Sequence, residues 1–237
     1  DRFAAAMAAP VAARRVLLPL YAFNVEVSRA PWVTSEPMIG EMRLQWWRDA
    51  LEEIGAARPV RRHEVTVPLA EVLHAPLASQ LDELIAARRW DLYTDAFEDT
   101  AHFQDYLKKT GGRLMWISAH LLGAHVTAAS AIVALGSATA LVRFLAAVPD
   151  LEARGRIPLI DGRKGAVAEL AKTALAAYPG RLRDHAGIPR KARAALIEAW
   201  QTRPLLEQIA RAPERVAEGR VGLSEFEKRV RLFLATF

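Results

Sequence analysis

Residues 126–148 read VTAASAIVALGSATALVRFLAAV, the most apolar stretch of the chain, with Arg143 as its only charge. The stretch is long enough to cross a membrane. Ala, Ser, Thr and Gly outnumber Leu and Ile in it, however, and such a composition has a weak drive to insert. We read it as a central buried helix that Pro149 stops.

A central helix needs partners of its own kind, and the surrounding sequence supplies them. Upstream, Phe103, Tyr106, Leu107, Leu114, Ile117 and Leu121 continue one helical face that Thr100 can cap. Gly111-Gly112 interrupts that face and permits a close approach by another element. Leu77, Leu81, Leu84 and Ile85 mark a helix after Pro76, and residues 56–67 and 91–100 read as connections. Ser35 as cap, Pro37 in the first turn and Gly55 at the end bound another helix. On it Glu41, Gln45, Arg48, Asp49 and Glu52 share one arc, while Met38, Met42, Leu44, Trp46, Trp47, Leu51 and Ile54 fill the rest. That pattern predicts a mostly buried helix, with Arg43 inside the apolar arc in need of a partner. Pro10 opens the first helical pattern, Pro19 predicts a kink or break in it, and Pro31 closes it. Weaker helices follow near 165–178, 189–202, 204–212 and 224–237, the last opening with the capping-box pattern Ser224-x-x-Glu227.

About a fifth of the residues are alanine, the best helix former, and no stretch alternates as a strand does. With no internal repeat, low-complexity linker or composition break, the expectation is an all-α, single-domain bundle over residues 1–237. Charged residues at 25% and hydrophobic residues at 52% fit neither a disordered chain nor a multi-span membrane protein. Cysteine is absent, which excludes disulfides, thiolate metal sites and Cys nucleophiles and suits a reducing compartment. The net charge of +5 is spread over the chain, which reads first as a solvated basic surface and second as an attraction to anionic lipid or a diphosphate. No recognition motif accompanies it, so nucleic acid is not an expected partner. Residues 3–13 lack a basic leader and a long apolar block, so no signal peptide is expected there. The chain starts at Asp1 rather than Met, which leads us to expect a short preceding piece. The expected location is cytoplasmic, with a peripheral position at the inner membrane as its refinement.

Few residue patterns point to chemistry by themselves. Asp91, Asp95 and Asp99 are four apart; on a helix they would share a face and could hold Mg²⁺, but a loop or helix start is the simpler reading. His120 and His125 do not share a face, and no zinc pattern, nucleophile elbow or Gly-rich phosphate loop is present. Arg154-Gly155-Arg156 is a short basic turn that could hold an anion, although a solvated loop is the simpler reading, and Tyr106 alone reads as an ordinary helix aromatic.

The order of these segments resembles the squalene and phytoene synthase family. Leu20-Tyr-Ala-Phe-Asn-Val-Glu-Val27 looks like its first signature helix, Phe103 to Gly112 like its Tyr-Cys-x-x-Val-Ala-Gly segment, and Leu141 to Leu159 like its second acidic helix and following basic turn. The resemblance implies an all-helical isoprenoid-synthase fold around a central cavity. It also implies two Asp-rich motifs that hold Mg²⁺ while prenyl diphosphates are condensed. In this chain the first motif falls on Ser28, Arg29, Ala30, Pro31 and Trp32, with no carboxylate. The second falls on Ala147, Val148, Pro149, Asp150 and Leu151, where one acid survives. The diphosphate-holding arginine falls on Val25, whereas Tyr106, Gly112, Arg154 and Arg156 match the family's pattern. The stretch Glu36 to Ala50, with Met42-Arg-Leu-Gln-Trp-Trp47, is similar to a divergent branch that includes the mitochondrial complex I assembly factor and its α-proteobacterial relatives.

These expectations combine into a non-catalytic scaffold without its metal chemistry that acts in binding or assembly, respiratory complex I assembly among the forms this can take. The candidate binding residues are Tyr21, Asn24, Glu26, Glu41, Arg43, Gln45, Trp46, Arg154 and Arg156, with Arg43 and Glu26 as a pair across the first two helices. The partner is a protein or an apolar isoprenoid or lipid ligand, and no cofactor is expected. The alternative is a Mg²⁺-dependent prenyltransferase with Tyr106 in its catalytic region and Asp91, Asp95, Asp99 and Asp150 as reserve metal ligands.

Overall fold

The central helix is the element against which the others pack. In the computed structural model, which describes residues 2–34, 36–180 and 182–236, it spans Ala129–Glu152, and Ile132, Leu135, Leu141, Leu145 and Val148 are among its buried residues. By length and apolarity Val126–Glu152 alone, among the described residues, could cross a membrane; its position in the core accounts for the same composition.

In chain order the helices are α1 (Arg2–Ala8), α2 (Val11–Ser28), α3 (Pro37–Gly55), α4 (Thr66–Ala70), α5 (Ala75–Arg88), α6 (Thr100–Leu107), α7 (Arg113–Leu121) and α8 (Ala129–Glu152). They continue as α9 (Lys164–Ala176), α10 (Arg193–Leu196), α11 (Thr202–Arg211), α12 (Glu214–Ala217) and α13 (Glu225–Ala235). No strand occurs among the described residues. Two apolar clusters form the core of this one domain. One joins α2, α3, α5 and α7 around Phe23, Trp47, Leu84 and Leu114; the other joins α6, α8, α9 and α11 around Phe103, Phe144, Leu206 and Ile209.

The two clusters meet where the glycines allow it. Between α6 and α7 the chain makes one π-helical turn, Lys108–Gly112, which lies directly on α8. A Cβ on Gly136 would stand 2.6 Å from the Gly111 carbonyl oxygen and 2.8 Å from the Gly112 Cα. Glycine is required on both sides, because backbone touches backbone there.

Several elements depart from the sequence expectation. Pro19 lies inside an unbroken α2: the carbonyl it deprives of a partner belongs to Arg15, an exposed residue that water can serve. Pro31 sits in a short 3₁₀ turn, Ala30–Trp32, one step after α2 has ended at Ser28. Pro149 does not stop α8, because it falls in the last turn, costs a single hydrogen bond, and Val148 and Leu151 remain packed. Asp99 rather than Thr100 caps α6, accepting from the His102 amide at 2.8 Å. The expected cap at Ser35 lies outside the described residues, while Ser224 and Glu227 form the expected capping box. Helix α3 is not mostly buried. Gly40, Leu44, Trp47, Ala50, Leu51 and Ile54 are, but Met38, Ile39 and Met42 stand in the open because α5 covers only one side.

Overpacking the close contact is expected to be costly. Gly136→Ala should lower stability by about 1–3 kcal/mol, whereas Gly165→Ala on α9, with nothing within 4 Å, should be neutral or slightly stabilising. Urea denaturation of the two variants side by side checks this.

Candidate functional site

A cavity of about 710 Å³ opens between the two halves of the core. Its walls come from the end of α2 and the turn after it, the end of α5, residues 91–94, the π-turn region, α8 and the basic turn that follows. Six arginines line it, Arg2, Arg29, Arg88, Arg143, Arg154 and Arg156, against two carboxylates, Asp91 and Glu36. Leu107, Ala140, Phe144, Ala147 and Leu151 supply an apolar wall.

Two buried acids organise the arginines. Asp91 lies in a 3₁₀ turn, Arg89–Leu92, and is buried. Arg88 Nη1 donates to its Oδ2 at 3.0 Å and to the Tyr106 hydroxyl oxygen at 2.7 Å, and that hydroxyl donates to Asp91 Oδ1 at 2.8 Å. Arg156 stacks over Trp90 at 4.0 Å and donates to the main-chain carbonyls of Asp91 and Trp90 at 3.0 and 3.1 Å. Burial pushes the Tyr106 phenol well up; Arg88 opposes this and Asp91 adds to it, so the hydroxyl stays protonated at neutral pH. Tyr106 is a donor fixed on an acid, and no free base stands beside it.

The second acid, Glu198, comes from the turn Ile197–Ala199 and is only 4% exposed. Arg2 Nε donates to its Oε1 at 2.7 Å, and Arg143 of α8 donates to the same oxygen. Burial alone would push this carboxyl up, but Arg2 and Arg143 together outweigh it and hold the group below the ordinary 4.5. Burial, then the neighbouring Arg143, pulls Arg2 down to about 10, which leaves it charged at neutral pH. Tyr21 is buried beside this group; burial and then the Glu198 charge push its phenol well above the usual value.

The sequence-derived candidates separate into three sets. Tyr106, Arg154, Arg156 and Asp91 come together in the cavity wall. Glu26 and Arg43 form the expected ion pair between α2 and α3, and Glu41 accepts from Arg89 and from the Tyr93 hydroxyl at 2.9 Å; both act as straps behind the wall. The rest lie away from the cavity. Asn24 is buried in α2, and Gln45 bonds Asp49 on a shallow cleft between α3 and α5. Trp46 packs on Trp47 and His63 beneath Arg61. Sequence reading missed the role of Arg2 and Glu198 altogether. The available signal for Glu198 was a lone acid in the apolar run Ala194-Ala-Leu-Ile-Glu-Ala-Trp200.

The residues present do not fit a Mg²⁺ cluster. Ser28 donates its hydroxyl to the Val25 carbonyl, Arg29 stands exposed at the mouth, and Ala147 and Leu151 are what the second motif turns toward the cavity. Asp150 is exposed and outside the cavity lining. The reserve set Asp91, Asp95 and Asp99 does not share a helix face: Asp91 is locked in its 3₁₀ turn, Asp95 is in an exposed loop and Asp99 is spent as a cap. No cluster of three or more metal-ligating side chains exists among the described residues.

The family profile described as squalene/phytoene synthase matches residues 1–159. The chain is 28% identical over 151 residues to "NADH dehydrogenase (ubiquinone) complex I, assembly factor 6" of Mus musculus, and 26% identical over 151 residues to that of Homo sapiens; each match covers 62% of this chain and 45% of the relative. A homolog from Drosophila melanogaster is 30% identical over 155 residues, covering 62% of this chain and 46% of its own. The chain thus spans about half the length of the curated relatives it matches. Among solved structures, the crystal structure of a dehydrosqualene synthase in complex with ligand superposes with a TM-score of 0.76 at 17% identity, over 99% of this chain and 90% of that one, and shows the same fold.

Glu198→Gln should cost about 3 kcal/mol, because it leaves two half-buried arginines facing each other. The stability this carboxylate contributes is complete above the unfolded glutamate value near 4.5 and is lost as pH falls toward its lower folded value. Acid titration of unfolding free energy should therefore be steeper for the wild type than for the variant. Arg43→Ala, which breaks a half-exposed pair, should cost only about 1 kcal/mol in the same measurement.

Proposed function

The chain belongs to the squalene/phytoene synthase family, and from that premise we propose that it is a non-catalytic member that acts by binding, in the assembly of a respiratory membrane complex. The observation that carries this reading is the cavity wall itself. Where metal-held diphosphate chemistry needs open carboxylates, this wall presents arginines, and its one buried acid is already taken by Arg88 and Tyr106. Condensation of prenyl diphosphates with unorthodox metal ligands would need acids that converge, and Asp91, Asp95, Asp99 and Asp150 do not. The similarity to complex I assembly factor 6 supports the assembly role and a protein partner.

On this reading the protein works inside the cell at the membrane surface. Support comes from the mouth of the cavity, where exposed Trp32 and Val33 adjoin Arg29 and Arg154, with Met38, Ile39 and Met42 open on α3 nearby. An apolar edge with adjoining positive charge suits an anionic lipid surface.

Two measurements test the proposal. Folded protein incubated with farnesyl or geranylgeranyl diphosphate and Mg²⁺ or Mn²⁺, with and without NADPH, should release no more diphosphate than a heat-killed control, with a working synthase run in parallel. Cells deleted for the gene should lose assembled NADH:ubiquinone oxidoreductase from their membranes and regain it with the gene restored. Diphosphate release, or full assembly in the deletion, would overturn the corresponding half of the reading.

A further inference from the structure

Helix α13 is turned the wrong way round for a helix packed by its apolar face. Phe226, Val230 and Leu234 recur every fourth residue and form one stripe within about 80° of the helix circumference. They are 76%, 39% and 61% exposed. The side set against the body carries instead Leu232 and Ala235, packed on the core, and half-buried Lys228. Polar contacts at both ends fix this orientation. Ser224 and Glu227 close the capping box, and Arg183 Nη2 donates to the carbonyls of Leu234 and Ala235 at 3.1 and 3.0 Å. An amphipathic helix held with its apolar stripe outward presents that stripe to something outside the fold.

The charge beside the stripe indicates what that is. On α13, Glu225 pairs with Lys228 and Glu227 is engaged in the cap, which leaves exposed Arg229 and Arg231 as the unmatched charges of the helix. The segment that fastens the helix through Arg183 also exposes Arg190, Lys191 and Arg193, with Asp184 its only acid. A second copy of the chain is poorly served by the stripe. Two such stripes face to face would bury roughly 600 Å² in total, about half of what a stable dimer needs. A bilayer sets no such minimum, since an interfacial helix sinks its apolar side among the acyl chains while basic neighbours stay with the head groups. We propose that α13 is an in-plane docking helix for an anionic bilayer surface. Phe226, Val230 and Leu234 are the inserted side chains, and Arg229 and Arg231 are the head-group contacts. None of the described residues of α13 lines the cavity, so this surface is distinct from the mouth. The proposal deepens the reading of a protein at work on a membrane and rests on it for the membrane alone, not for the assembly role.

Flotation of the purified chain with vesicles tests it, one set of phosphatidylcholine with phosphatidylglycerol and one of phosphatidylcholine alone. Binding to the anionic set should be at least about tenfold tighter and should weaken as salt is raised. The double variant Phe226→Asp, Leu234→Asp should keep the wild-type melting temperature, because both side chains stand in the open, and should bind at least about tenfold more weakly. Arg229→Gln with Arg231→Gln should narrow the preference for the anionic set. The chain has no cysteine, so Phe226→Cys takes a single environment-sensitive fluorophore, whose emission should move to the blue on anionic vesicles. Vesicle binding left intact by the Phe226, Leu234 double variant, or unshifted emission from the label, would overturn the proposal. If Trp32→Asp abolished binding instead, the membrane reading would stand with the cavity mouth as its contact. No flotation of the wild type would overturn both the proposal and the membrane reading, while the deletion test of assembly is read by itself. A dimer in sedimentation equilibrium that the double variant dissociates would assign the stripe to a second copy and overturn the proposal as well.

Discussion

A carboxylate removed from water must be neutralised where it stands, and two such carboxylates shape this protein. Asp91 and Glu198 are both nearly inaccessible: Asp91 is held between its neighbour Arg88 and the distant Arg156, and Glu198 between Arg2 and Arg143, both far away in the chain. Glu198 draws Arg2 of the first helix and Arg143 of the central helix onto the turn that follows α10, tying the two ends of the sequence together. Asp91 draws in Arg88, Tyr106 and Arg156, and so fixes α5, α6 and the basic turn against one another. Leaving any of these charges unpaired would cost several kcal/mol, a large share of the stability of a domain this size.

The same constraint determines what the cavity can hold. Asp91, the buried acid in the cavity wall, already accepts from Arg88 and Tyr106 with Arg156 beside it, and the positions of the two acidic motifs that face the cavity are Ser28, Arg29, Pro31, Trp32, Ala147 and Leu151. The scaffold of the family is retained, with a TM-score of 0.76 to a dehydrosqualene synthase, while the sign of the charge facing the cavity is positive. Fold and chemistry are separable in this way because the bundle is held by apolar packing on the far sides of the helices.

Contacts with no polar character also help to place the helices that frame the cavity. The π-turn at Lys108–Gly112 can lie on α8 only because Gly111, Gly112 and Gly136 carry no side chains. That contact sets Tyr106, two residues before the turn, at the depth where its hydroxyl meets Asp91. A stack of aromatic rings, Trp90 on Phe97 at 3.8 Å with Phe103 and Phe144 around them, closes the same region from behind.

The sequence by itself determined the helical class, the central helix and most helix positions, because these follow from composition and periodicity; the family resemblance located the two metal motifs, and residue identity there showed that neither keeps a carboxylate set. It also pointed to the Glu26–Arg43 pair, since a charge inside an apolar arc requires a partner. Only the tertiary structure decided which charges meet. Glu198 lies 196 residues from Arg2, and no local pattern relates them. Pro19 and Pro149 read as breaks but are absorbed by their surroundings, and Met38 and Met42 read as core but stand in the open. A helix's own pattern shows which face is apolar, and only its neighbours decide whether that face is covered.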